Sequence, residues 1–242
     1  MSLVPGEVDR ASRITALISK WDYLRRHFHS VLPYLTLLKI ANAAVNQLEM
    51  RFATLRPRSA PLYIKMEATP LCHLSCGGCV HTDFSHKKSL NNKMHLSVEQ
   101  LRKVVDPLAS KLIGVSFSYS GEPLLNSSLC ELVSYVHGRN ICTSFSTNLS
   151  VPLTDQKADQ LVRSGLDRMQ ISLDGASEET YRRYRKGGNF NLVVENVKKL
   201  AEAKRRNHLN RPRLVWKMVV FPYNRFEVRE PLIYSLVGVA LI

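Results

Sequence analysis

The stretch Cys72-His73-Leu74-Ser75-Cys76-Gly77-Gly78-Cys79 places three thiols in a C-x3-C-x2-C spacing just behind the apolar run at 62–66. It reads as a metal-binding loop leaving a strand. Three cysteines are one short of the four that close a structural zinc site or an ordinary iron–sulfur cluster, so a metal held here keeps an open position. An open position points to chemistry. The spacing is short enough for one loop to offer all three sulfurs to one cluster, and such clusters favour thiolates. Two other readings stand beside it: zinc with His73 or His81 as fourth ligand, or thiols with no metal.

Outward from this loop, short apolar runs alternate with amphipathic stretches. Strands are expected at 62–67, 113–119, 141–147, 168–173 and 214–220, with the start of a sixth at 237–242. The first helix follows Ser97, which with Gln100 forms a capping box ahead of Leu101, Val104, Val105 and Leu108. Others are expected at 127–137, from Thr154 to Gly165, at 177–185 and at 192–206. This alternation implies βαβ units around a parallel sheet, either doubly wound or closed toward a barrel.

The chain has 242 residues, 45% of them hydrophobic, which is enough for a full core. Five cysteines, three of them within eight residues, do not make a secreted disulfide framework and point to a reducing, cytoplasmic setting. Cys130 and Cys142 read as packing residues within a helix and a strand. No signal peptide is legible, and the apolar stretch at 31–45 is interrupted by Pro33, Lys39 and Asn42 and is too short to span a bilayer. Residues 1–61 form a helical extension with apolar positions at Trp21, Leu24 and Phe28 and then Leu35, Leu38 and Ile40. Its default role is packing against the rest of the chain, although its arginines also suit the surface of a membrane. The net charge is +14, and between Arg182 and Arg213 eleven Lys or Arg face only Glu195 and Glu202. Lys198, Lys199, Lys204 and Arg205 alternate there with Leu200, Ala201 and Ala203, as on a solvated helix face.

The C-x3-C-x2-C loop resembles the hallmark of the radical S-adenosylmethionine superfamily, and the resemblance covers residues 62–242. It implies a partial (β/α)6 TIM-like barrel, an α/β fold, here preceded by the N-terminal helical extension. It also implies a 4Fe–4S cluster on Cys72, Cys76 and Cys79, with S-adenosyl-L-methionine on the open iron, and an electron donor such as flavodoxin or ferredoxin. In that family the residue before the third cysteine is usually aromatic; here it is Gly78.

If the chain is such a barrel, its chemistry belongs at the carboxyl ends of the strands. Ser120-Gly121-Glu122-Pro123, after the second strand, resembles the family's Gly-Gly-Glu-Pro segment, which implies that Gly121 and Glu122 meet the cofactor's amino group. Thr147 and Asn148 end the third strand and resemble the family's Thr-Asn, a source of hydrogen bonds to cofactor or substrate. The segment from Ser172 to Gly188 looks like the SPASM-containing branch, which implies that Ser172 and Arg185 hold the cofactor carboxylate. Asp174 suits a turn cap as well as a ligand. Asn224, after the fifth strand, is a further cofactor-binding candidate by the same resemblance. Trp216 and Met218 read as core.

The cysteine-rich extension of that branch is not seen after Val220, and the apolar run to Ile242 suggests a truncated product or a barrel completed by a second chain. The expected activity is reductive cleavage of S-adenosylmethionine to a 5′-deoxyadenosyl radical that abstracts hydrogen from a substrate. A peptide, an RNA, or a lipid or glycan precursor all remain open as that substrate. An inactive truncated paralogue or subunit and a zinc-binding interaction protein are the competing readings.

Overall fold

Six short strands set the architecture: β1 (Tyr63–Lys65), β2 (Gly114–Ser116), β3 (Cys142–Thr147), β4 (Arg168–Ser172), β5 (Arg213–Lys217) and β6 (Ala240–Leu241). The computed structural model describes residues 30–83, 94–229 and 240–241. The strands lie side by side in the order β1-β2-β3-β4-β5-β6, and every pair is parallel. Crossovers between parallel strands share one hand, so a strictly sequential order carries all the helices to one face and curls the sheet around the other. A doubly wound sheet needs its strand order to reverse, which does not happen here. The fold is therefore a partial TIM-like barrel.

Side chains alternate between the two faces of each strand. Val115, Phe145, Met169, Ile171, Leu214 and Trp216 point outward into a core shared with Leu101, Leu132, Val136, Leu161, Val193 and Leu200. Those core positions come from the helices α2 (Val98–Val105), α3 (Leu129–His137), α4 (Asp155–Arg163) and α6 (Phe190–Arg206); α5 (Glu178–Tyr184) precedes α6 in the connection from β4 to β5. The expected Ser97–Gln100 capping box opens α2, and a second, Ser177 with Thr180, opens α5. Thr154 caps α4, as its position before the apolar spacing predicts.

The strands are shorter than the apolar runs that foretell them. β1 stops at Lys65, because the chain beyond it turns toward the cysteine loop rather than continuing the ladder. At the other edge, Ala240 and Leu241 pair with Val215 and Trp216, so this chain itself supplies a sixth strand. The remainder of the stretch expected at 237–242, and Trp21, Leu24 and Phe28 of the leader, lie outside the described residues.

The described part of the leader docks through a small apolar cluster, Val31 and Tyr34 against Ile113 and Cys142, and through polar anchors. Tyr34 is buried at the amino-terminal end of the barrel, where its hydroxyl donates to Asp167 Oδ1 at 2.6 Å. In helix α1 (Leu37–Arg51) the buried positions are Lys39 and Asn42, while Leu37 and Leu38 stay 86% and 63% exposed. This inverts the face expected from the apolar spacing. The physical reason is the backbone opposite: Lys39 donates to the Asn140 carbonyl, and the Asn42 amide pairs with both the N–H and the C=O of Ala60. The basic stretch of α6 is a solvated face carrying ion pairs such as Lys199–Glu195 and Arg206–Asp159. No helix among the described residues is long and apolar enough to cross a membrane.

Candidate active site

The cysteine loop is fastened at both ends. Ser75 N–H donates to the Lys186 carbonyl at 3.0 Å and Gly77 N–H to the Tyr184 carbonyl at 3.3 Å, which ties the loop to the end of α5. The Thr82 hydroxyl lies 2.7 Å from the carbonyls of both Cys76 and Cys79 and closes the turn behind the thiols. His81 is buried, with Nε2 3.1 Å from the Ser120 carbonyl, so it joins the cysteine loop to the loop after β2. Burial pushes the Cys72 thiol up to about 11 and raises that of Cys76 as well, although Arg185 opposes the rise at Cys76. A bound metal replaces those protons.

The loop after β2 is built around a carboxylate that the sequence did not single out. Glu67 Oε1 accepts from the backbone N–H groups of Ser120 at 2.8 Å and Gly121 at 2.9 Å and from the Ser120 hydroxyl. Gly121 presses against the backbone of residues 69–71; a Cβ there would overlap the Thr69 carbonyl oxygen and crowd that of Leu71 at 2.8 Å. Only glycine lets the two loops meet this closely. Glu122 follows, 2% exposed, and its N–H donates to Leu71 O at 2.7 Å. Its carboxylate accepts from Thr147 Oγ1 at 2.6 Å, Asn148 N–H at 2.7 Å and Leu124 N–H at 3.1 Å. Burial nevertheless raises the Glu122 carboxyl above its ordinary value, against those three hydrogen bonds and the charge of Arg185.

Asn148 reaches back to the cysteine loop, its Nδ2 3.8 Å from Cys72 Sγ. Arg185, at the end of α5, does the same on the other side, with a guanidinium nitrogen 3.7 Å from Cys76 Sγ. The same guanidinium is paired with Asp174, which is fully buried and accepts from Val219 N–H at 2.6 Å. Asp174 thus positions Arg185 and the chain beyond β5. Asn224 also sits apart from the thiols: its Nδ2 donates to the Asp174 and Val219 carbonyls and its Oδ1 accepts from Phe221 N–H. That amide is engaged on backbone and shapes the loop after β5.

Cys72, Cys76, Cys79, Gly121, Glu122, Thr147, Asn148, Ser172 and Arg185 all line one cavity of about 400 Å³ at the carboxyl ends of the strands. Three thiols opening on one cavity suit a cluster, in which each thiolate takes its own iron. The rest of the lining fits the cofactor: Glu122 brings negative charge for an ammonium, and Arg185 with Ser172 brings donors for a carboxylate. Gly78 leaves open space, with no atom within 4 Å of where a Cβ would stand, and its φ of +73° disfavours any larger residue. Tyr184 instead supplies an aromatic wall, its ring 5.0 Å from that of Phe221, which stacks on Tyr223 at 5.2 Å.

A three-cysteine loop over the carboxyl ends of a parallel βα barrel points to a class of metalloenzyme, and sequence comparison gives the class its name. Residues 66–229 match the Radical SAM superfamily, and the chain belongs to it. The cofactors of that superfamily are a 4Fe–4S cluster and S-adenosylmethionine. The chain is 32% identical over 148 residues to the mycofactocin maturase MftC of Mycolicibacterium smegmatis, a match covering 61% of this chain and 36% of the relative. It is 29% identical over 140 residues to a probable GTP 3′,8-cyclase of Methanococcus maripaludis, covering 57% of this chain and 45% of the relative. The matched stretch is thus under half the length of either. Among solved structures, Streptococcus suis SuiB bound to the precursor peptide SuiA aligns with a TM-score of 0.56 at 16% identity, over 79% of this chain and 40% of that one. That likeness is one of fold.

Proposed function

We propose that this chain is an active radical S-adenosylmethionine enzyme, with a cluster held by Cys72, Cys76 and Cys79. The bound cluster and cofactor supply reductive cleavage to methionine and a 5′-deoxyadenosyl radical able to abstract hydrogen from a substrate. The protein's share is placement. Glu122 and the Gly121 backbone face the cofactor's ammonium, Ser172 and Arg185 its carboxylate, and Thr147 and Asn148 fix Glu122 between the second and third strands. The observation that carries this reading is the meeting of the three thiols, Glu122 and Arg185 on one cavity. A one-electron donor of the flavodoxin or ferredoxin kind would feed the cluster. A peptide substrate is one prospect, supported by the names of MftC as a maturase and of SuiB with its precursor peptide.

The test is anaerobic reconstitution with iron and sulfide, followed by a dithionite-reduced assay for 5′-deoxyadenosine. The expected result is cofactor cleavage by the wild-type protein, lost together with the cluster in Cys76→Ala. A protein that binds zinc stoichiometrically and assembles no cluster, or one that assembles a cluster and never cleaves the cofactor, would overturn the proposal.

A further inference from the structure

The concave face of the barrel is polar and basic. β1 ends on Lys65 and β5 on Lys217, and both lysines line the cavity onto which the three thiols open. Strand register sets Lys65 level with Ser116 and, through it, with Ser144, and sets Ser172 level with Lys217. Lys65 also borders a second cavity of about 350 Å³ further along the same face, lined by Ser116, Ser144, Arg168 and Gln170 among others. Glu122 is the carboxylate in the upper cavity, and its oxygens are already engaged by Thr147, Asn148 and Leu124. Among the described residues neither lysine has a carboxylate partner.

Two lysines lining one cleft concentrate field there and attract a negative charge. The serine hydroxyls between them add hydrogen bonds that an anion's oxygens can accept. An apolar chain in the same place would strip water from both ammonium groups and return nothing. We infer that the substrate presents an anionic group, carboxylate or phosphate, to Lys65 and Lys217 inside the barrel. The inference rests on the reading of this cavity as the reaction chamber and deepens it by naming the substrate's chemical class.

Calorimetric titration of inorganic pyrophosphate, and separately of glutarate, into reconstituted protein saturated with S-adenosylmethionine tests it. The wild-type protein is expected to bind one of the two, and which one separates a phosphate from a carboxylate. Lys65→Gln and Lys217→Gln should each weaken that binding by about tenfold or more, as expected for loss of a hydrogen bond to a charged group. Lys198→Gln, which removes the same charge from the exposed surface of α6, should not. Acetic anhydride labelling of the wild-type protein gives a second readout that needs no variant to fold: the anion should shield Lys65 and Lys217 and leave Lys198 reactive. Equal weakening in all three variants, binding of neither anion, absence of shielding, or weakened S-adenosylmethionine binding with anion affinity intact would each overturn the inference. Failure of the enzyme assignment is read separately, from the wild-type cluster and 5′-deoxyadenosine.

Discussion

The carboxylate of Glu122 is buried and accepts the Thr147 hydroxyl at 2.6 Å, so a residue of the loop after β2 is locked to the end of β3 beneath the cysteine loop. Two neighbouring strands thereby hold one carboxyl group in place at the cavity. Because burial raises the Glu122 carboxyl, the folded protein holds that proton more tightly than the unfolded chain does. The contribution of Glu122 to stability is therefore fully present below the ordinary carboxyl range and is lost as pH rises through the raised value, where a buried charge must form. Thermal melts of the metal-free protein from pH 4 upward should show this decline. Glu122→Gln should flatten it, and an unchanged slope in that variant would assign the pH dependence to other groups.

Arg185 and Asp174 form a pair in which the carboxylate is fully buried and the guanidinium 17% exposed. Removing only the cation, as in Arg185→Met, leaves an uncompensated buried charge and should cost about 3–5 kcal/mol in urea unfolding. Adding Asp174→Asn to that variant should recover a substantial part, since the amide needs no counter-charge. A double variant as unstable as the sum of the two singles would show that the pair is not coupled.

The cysteine triplet and the Gly-Glu-Pro turn were legible because their chemistry lies in a few consecutive residues. Glu67 was not: in sequence it closes an apolar run and looks like the last residue of a strand, and only folding brings it to the N–H groups of Ser120 and Gly121, more than fifty residues away. Lys65 and Lys217 read as strand residues for the same reason, since facing one cavity is a property of register across five strands. His81 was visible only as a ligand candidate; its link to the Ser120 carbonyl depends on where two loops meet. Asn224 shows the opposite limit. The family resemblance makes it a cofactor-binding candidate, and the structure adds what the sequence does not show, that its amide meets three backbone groups. In α1 the apolar spacing pointed to the wrong face, because the surface opposite offers backbone carbonyls and not an apolar groove.

Gly121 is required by the approach of two backbones. Gly121→Ala must drive the loop after β2 away from residues 69–71, which lead directly into Cys72. The expected outcome is a marked loss of stability together with poor iron retention, read as iron and sulfide per chain after reconstitution. Ser120→Ala is the control: it removes the hydroxyl bond to Glu67 and leaves both backbone bonds in place, so it should cost about 1 kcal/mol and keep the cluster.

Tyr34 ties the leader to the amino-terminal end of the barrel. Its hydroxyl meets Asp167 Oδ1 at 2.6 Å, His137 Nδ1 at 3.1 Å and an Arg211 guanidinium nitrogen at 3.2 Å, while Asp167 Oδ2 accepts Thr143 N–H at 2.8 Å. Burial and the neighbouring Asp167 raise the phenol well above its ordinary value, so it remains a donor throughout the working pH range. Tyr34→Phe keeps the ring among Val31, Ile113 and Cys142 and deletes only the hydroxyl. Asp167 then lacks its shortest hydrogen bond, and the loss should be about 1.5–3 kcal/mol, typical of a hydrogen bond to a charged group. Urea unfolding should show a lower midpoint with an unchanged slope, because the same surface is exposed on unfolding. The contact lies at the end of the strands opposite the thiols, so iron content should stay at the wild-type level. A variant that lost iron while keeping its midpoint would show that the leader acts on the cluster loop rather than on the barrel floor.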